Sequence, residues 1–195
     1  MTDPRDLGDA ELLAASVAAP RLIGEVFDRH APEILRYLTR RVGAQEAEDL
    51  LSQTFLVALE RRGSFQATAQ SARPWLYGIA SNLLLRRRRD EVRFLRALAR
   101  IPVDPGVTIF EEASAARLDA AEQAAGLAAR LVDLSPGDRN VLLLVAWTEL
   151  SHDEIAAALE IPVGTVKSRL HRARRKLRDH IGDQTERAER TTRHG

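Results

Sequence analysis

The stretch from Ser151 to Arg178, SHDEIAAALEIPVGTVKSRLHRARRKLR, constrains this chain more than any other. Ser151 followed three residues later by Glu154 is a capping box: the hydroxyl takes a free backbone N–H and the carboxylate reaches back to the cap. Ile155, Ala158 and Leu159 then recur at helical spacing. Glu160-Ile161-Pro162 ends the helix, because proline lacks a donor and clashes with the preceding turn. A second helix starts near Val163. Sorted by helical angle, Val163, Val166, Leu170, Ala173 and Leu177 share one side and must meet a core. The other side carries Gly164, Thr165, Ser168, Arg172 and Arg175, flanked by Lys167, Arg169, His171 and Lys176. From Ile161 through Arg178 there are seven Lys or Arg and no acid. Two short helices around a tight turn, the second heavily basic, form a helix-turn-helix pattern. Short side chains at the start of the second helix let its backbone approach a major groove, where arginines grip guanine or phosphate. The plainer alternative is a solvated basic face, but such a face normally carries Glu for helix support.

The formal net charge of +1 is low for a DNA binder until it is divided by region. Residues 1–60 hold six arginines against eleven acids, a net −5. Residues 86–100 hold seven arginines against Asp90 and Glu91, a net +5, and residues 101–126 carry −4. Segregated charge of this kind implies different partners for different parts. The chain has no cysteine, which excludes disulfides and thiolate zinc sites and fits a reducing, cytoplasmic setting. No apolar run approaches membrane-spanning length and no signal peptide opens the chain, so membrane insertion is not expected. Ala, Leu and Arg dominate and β-branched runs are absent, which makes the expected fold all-α.

In chain order, Asp9 is placed to cap a short helix to about Ala18. Pro20 suits the first turn of the next helix, whose core residues Ile23, Val26, Phe27 and His30 continue as Ile34, Leu35, Leu38 and Val42. Pro32 should break or kink it. A helix from about Gln45 to Arg62 turns Ala47, Leu50, Leu51, Phe55 and Ala58 inward. Its other side carries Glu46, Asp49 and Gln53, which on physics alone is a solubilising stripe. After a loop containing Phe65, one long helix is expected to start at Pro74 and Trp75 and run through RRRRDEVRF. Trp75, Leu76, Ile79, Leu83 and Leu84 pack inward. Tyr77, Ser81, Asn82 and the block Arg86, Arg87, Arg88 and Arg89 reach outward. Aromatic rings beside a basic helix suit single-stranded DNA, by stacking and phosphate contact, although Trp75 and Tyr77 fit a core equally well. Residues 101–114, with two prolines and a glycine, look like an inter-domain linker. A helix from about Ala115 to Val132 follows. Ser135 and Pro136 start another, carrying Val141, Leu142, Leu144, Val145 and Trp147 toward the core. The polar stretch from Gly182 onward is expected to be disordered.

With these pieces in order, Leu22 to Ile181 resembles the extracytoplasmic-function type of bacterial sigma factor, in the sigma-70 family. LSHDEIAAALEIP followed by GTVKSRLHRARRKLR is the most specific part, with AEDLLSQTFLVALE (47–60) and RPWLYGIASNLL (73–84) in the right order. The resemblance implies two helical domains joined by a flexible linker. An N-terminal segment (1–19) would precede region two (20–100), the linker (101–120), region four (121–181) and a disordered tail (182–195). Implied partners are core RNA polymerase, through the clamp of the largest subunit and the flap of the second largest, promoter DNA, and an anti-sigma factor. Glu46, Asp49 and Gln53 would meet the clamp, overturning the solvent reading of that stripe. Thr165, Lys167, Ser168, Arg169, His171, Arg172 and Arg175 would contact the minus-35 element. Phe65, Tyr77, Ser81, Asn82 and Arg86 to Arg89 would serve the minus-10 element, where the family flips out a base and captures the opened strand. Flipping costs a few kcal/mol, which binding of the base offsets. The acidic linker would either thread toward the polymerase's RNA path or act as a plain spacer. Ser81 and Arg86 depart from the family's usual Arg and Asp, so the bases read at minus-10 stay open. The resemblance implies no metal, cofactor or catalysis.

Two rival classes fit the sequence less well. An enzyme lacks support: His30, His152, His171, His180 and His194 have no metal-ligand spacing, and no phosphate-binding glycine loop is present. A stand-alone helix-turn-helix regulator would bind duplex sites as a dimer without polymerase. Response regulators of that kind carry a receiver of alternating strands and helices, a pattern missing from the N-terminal half.

Overall fold

The computed structural model describes residues 3–65, 71–100 and 124–192, with side chains as far as Arg178. Every regular element among the described residues is helical. They are α1 (Asp9–Ser16), α2 (Ile23–Val42), α3 (Ala44–Arg61), α4 (Arg73–Arg86), α5 (Arg88–Leu98), helical residues 124–133 (α6), α7 (Pro136–Trp147), α8 (His152–Leu159) and α9 (Val163–Thr192), with short 3-10 turns between some of them. The expected linker, 101–120, lies outside the described residues. No helix among the described residues is long and apolar enough to cross a membrane.

The first cluster is α2, α3 and α4, with α1 and α5 laid against α2. Val26, Ile34, Leu38, Leu50, Leu76 and Leu84 form its centre, and Phe27 meets Phe55 edge-on at 4.7 Å between ring centres. Several sequence expectations are corrected here. Pro32 does not break α2, which runs unbroken for 20 residues; burial of Val26 and His30 before it and of Ile34 and Leu38 after it holds the helix together across the proline. The long helix expected from Trp75 is two, interrupted at Arg87, whose backbone (φ −95°, ψ 26°) leaves the helical region. Asp9 does not cap α1. Gly8 is the cap, its N–H donating to the Glu11 carboxylate at 2.8 Å, and Asp9 turns into the interior.

There the Asp9 carboxylate accepts from His30 Nε2 (2.8 Å), the Ala72 N–H (2.8 Å) and Arg29 Nη1 (3.3 Å). The other His30 nitrogen faces Glu33, which also pairs with Arg73. Burial pushes the Asp9 carboxyl up, but the bonds from His30 and Ala72 outweigh it and hold it well below the usual carboxylate range. Burial pulls His30 down, yet its bonds to Asp9 and Glu33 raise it from 6.5 to about 9. A raised folded-state value adds stability in full below the unfolded pKa, and that stability is lost as pH rises through the folded one. Urea unfolding between about pH 6 and about pH 10 should therefore show a loss on the order of 2 kcal/mol. His30→Gln should be less stable at the lower pH and lack this loss; an equal loss in that variant would place the titration elsewhere.

The second cluster packs α7 and α8 on α9, with α6 beside them. Ser135 caps α7, accepting from the Asp138 N–H at 3.2 Å, and Pro136 is its first residue. Ser151 and Glu154 close the capping box on α8. Glu160 ends α8 in the left-handed region at φ 53°. α9 continues as helix to Thr192. No proline follows Pro162, and Glu, Arg and Ala there are good helix formers.

The two clusters share one continuous core. Val141, Leu144, Ile155, Val166 and Leu170 join the residues of the first cluster, and Leu95 of α5 joins α6, α7 and α9. α4 lies directly on α8. A Cβ built on Gly78 would lie 2.3 Å from the Ala158 carbonyl oxygen, so only glycine permits this crossing. A buried polar group sits deeper in the joint. Arg41 donates to Glu91 (2.5 Å), to Asn140 (3.0 Å) and to the Tyr37 hydroxyl, while Arg139 lies 3.6 Å from Glu91.

Candidate nucleic-acid interface

α9 buries Val166, Leu170 and Ala173 and half-buries Val163 and Leu177, the side its periodicity requires. That packing turns Lys167, Ser168, His171, Arg172 and Arg175 to the surface. Thr165 and Arg169 are half-buried at the edge, and the Arg169 guanidinium rests against Gly137 at the start of α7. Arg172 Nη2 donates to Asp138 at 3.0 Å, which steadies one guanidinium while leaving the side chain 47 % exposed. All seven side chains expected at minus-35 thus lie on or beside one surface of one helix.

The minus-10 candidates divide. Asn82, Arg86, Arg88 and Arg89 are exposed. Phe65 is half-buried and meets Trp75 edge-on at 5.2 Å. Arg87 is half-buried and pairs with Glu46 at 3.2 Å, so a residue expected on DNA and one expected on polymerase hold each other. Tyr77 and Ser81 do not face outward. Tyr77 is 2 % exposed, edge-on to Tyr37 at 5.3 Å, and Ser81 is fully buried beside the Tyr37 hydroxyl. Burial and the nearby Glu33 push the Tyr77 phenol up to about 12. The reason is tertiary: Leu76 through Ser81 are buried in an unbroken run, because α8 covers the side that α2 and α3 leave open.

Asn82 and Arg86 open onto a cleft of about 1200 Å³ between α4 and α8. Phe65 and Trp75 line it from the first cluster; Asp153, Glu154 and Glu160 line it from the second. Carboxylates of the helix-turn-helix thus sit across from the polar and cationic groups of α4. Sequence patterning placed none of these acids in a site, because nothing local says what α8 faces. On α3, Asp49 is exposed and Gln53 half-buried, and Leu56, 56 % exposed, continues the same face at helical spacing. Leu56 was missed; its one signal was an apolar residue on a polar stripe. Among the described residues no cluster of His, Asp or Glu is arranged to hold a metal ion.

The family model for sigma-70 region 2 matches residues 26–94, and that for sigma-70 region 4 matches residues 126–177. The chain belongs to the sigma-70 family, in its extracytoplasmic-function group. It is 34 % identical over 170 residues to the ECF RNA polymerase sigma factor SigL of Mycobacterium tuberculosis (strain ATCC 25618 / H37Rv), covering 87 % of this chain and 94 % of that one. It is 31 % identical over 166 residues to the ECF RNA polymerase sigma factor SigW of Bacillus subtilis (strain 168), covering 82 % and 88 %. Its fold is similar to that of CnrH solved in complex with the cytosolic domain of CnrY, with a TM-score of 0.59, 24 % identity, and coverage of 90 % and 97 %. As a member of this family the sigma factor binds RNA polymerase and DNA and is not an enzyme. Its first cluster holds region 2 and its second holds region 4.

Proposed function

We propose that this sigma factor recruits core RNA polymerase to promoters through the clamp and flap, reading minus-35 with α9 and opening minus-10 with α4. The observation that carries the reading is the acid-free outer surface of α9 from Val163 to Arg178, held outward by the burial of Val166, Leu170 and Ala173. Lys167, Ser168 and Arg172 reach the major groove, and Asp49 and Gln53, with Leu56 beside them, meet the polymerase clamp. Asn82, Arg86 and the Phe65–Trp75 pair receive the opened strand at minus-10. Tyr77 and Ser81 act there only by shaping α4 from within.

The packed arrangement is the resting form. Region 4 must leave α4 before Asn82 can meet DNA, since α8 and its carboxylates stand across the cleft. An anti-sigma factor would act by holding the halves in this arrangement, and the regulated promoters would be those of a stress response.

Run-off transcription with purified core polymerase on a genomic promoter library tests this. Discrete transcripts dependent on the chain are expected. No transcripts, together with tight binding of one palindrome by the free chain, would favour the stand-alone regulator. On a promoter so recovered, Arg172→Ala should cost about 1–3 kcal/mol at one base position if the side chain reads that base. If it touches phosphate, the loss is uniform across sequences and the salt slope falls by about one. No loss of either kind would remove Arg172 from the interface.

A further inference from the structure

Asp9 and α1 lie ahead of the region 2 match, which begins at residue 26, although the groups that surround Asp9 fall within it. α1 is nonetheless tied firmly to α2. Arg29 donates to the backbone carbonyls of Leu7 (2.8 Å), Arg5 (2.9 Å) and Pro4 (3.3 Å) as well as to Asp9. Leu12 and Leu13 of α1 are fully buried.

What Asp9 grips is the start of α4. Its Oδ2 accepts the N–H of Ala72, the residue that caps this helix, and the Ser71 hydroxyl at 3.3 Å. Ala72 has no side chain able to cap; Asp9 takes the N–H of the cap residue itself, the part a capping-box Glu normally plays, and holds the Ser71 hydroxyl, whose oxygen accepts the Arg73 N–H at 3.2 Å. One residue on, Glu33 holds Arg73 through two contacts of 3.0 Å. The gripped residues, 71–73, run straight into those that line the α4–α8 cleft: Ser71 itself, Pro74 and Trp75, with Phe65 against Trp75.

We infer that Asp9 is a positioning residue for promoter opening, an external clasp that sets the wall formed by Trp75 and Phe65 at the start of α4. This rests on the proposed use of the Phe65–Trp75 pair for the opened strand. A wall held by a buried carboxylate with four donors keeps Trp75 and Phe65 in place while the duplex is unstacked. A wall freed of it must be ordered at that step, so the cost falls on opening and not on holding an already opened strand.

The test uses the full chain with core polymerase and a promoter recovered with the wild type. One template is duplex; the other is the same sequence premelted across minus-10. For Asp9→Ala, transcript yield should fall about tenfold on the duplex and stay within about twofold on the premelted template. Polymerase binding should be unchanged. Asp9→Asn keeps an acceptor for Ala72 and should lose about threefold on the duplex and nothing on the premelted template; it carries the comparison should the alanine variant not fold. An equal fall on both templates would make Asp9 merely structural, and no fall on either would remove its role; each overturns the inference and leaves the promoter reading standing. A wild type that starts no transcripts overturns both.

Discussion

Gly78→Ala is expected to loosen the packed molecule, and Gly78→Leu to part its halves. The new Cβ would meet the Ala158 carbonyl oxygen at 2.3 Å and its carbonyl carbon at 3.1 Å. Both belong to backbone, so no side chain can swing aside, and α8 must retreat by about 1 Å to regain van der Waals contact. Overpacking of this kind costs about 1–3 kcal/mol for the methyl group, and more for leucine. Region 2 itself should stay folded, because the three nearest contacts of the added atom are all with Ala158 of α8. Gly24→Ala is the control: nothing lies within 4 Å of its Cβ, so the helix should gain about 0.5–1 kcal/mol. Small-angle scattering would read the parting as a larger radius of gyration for Gly78→Leu, and hydrogen exchange as lost protection in α8. An unchanged radius and unchanged protection would mean that the joint does not depend on this crossing. Where closure competes with polymerase, Gly78→Ala should bind the core enzyme more tightly by up to about tenfold.

The second large effect is expected at Glu91. Arg41 and Arg139, each 2 % exposed, both lie against this carboxylate, itself 3 % exposed. Arg41 is well provided for by Glu91, Asn140 and Tyr37. Arg139 is not: its Nε and Nη1 make no hydrogen bond among the described residues. Burial lowers its pKa and the charge on Arg41 lowers it further, with Glu91 opposing both. Glu91→Gln leaves two guanidiniums buried without a counter-charge, a loss of about 3–5 kcal/mol, or about 10 °C in thermal midpoint for a chain of this size. Arg139→Met should do the reverse. It removes the poorly matched charge and leaves Arg41 with its carboxylate, so the joint should be as stable as wild type or more so. Thermal unfolding of the two variants decides the matter: a Glu91→Gln midpoint within about 2 °C of wild type would show that the three charges do not act as a unit.

These two sites show where sequence reasoning reached its end. The helix-turn-helix was legible because each signal in it is local: the Ser151 cap, the Pro162 stop and the period of Val166, Leu170 and Ala173 act within a few residues of themselves. The inward face of α3 and the start of α7 were legible for the same reason. Tyr77 and Ser81 were misplaced because periodicity assigns a helix one buried side, whereas α4 is covered nearly all round. Asp9 passed for an ordinary cap since its partners, His30 and Ala72, are 21 and 63 positions away. The break at Arg87 lies inside four arginines, all good helix formers, and left no mark in the sequence.

The order of amino acids by itself determined an all-helical chain, a basic recognition surface and membership of the sigma-70 family, since caps, stops and period are written over short distances. Only the tertiary structure decided that regions 2 and 4 share one core, that Gly78 lets α8 lie on α4, and that two arginines from different halves lean on Glu91. Those features depend on which surfaces meet, and contact between residues far apart in the chain leaves no local pattern for composition or spacing to carry.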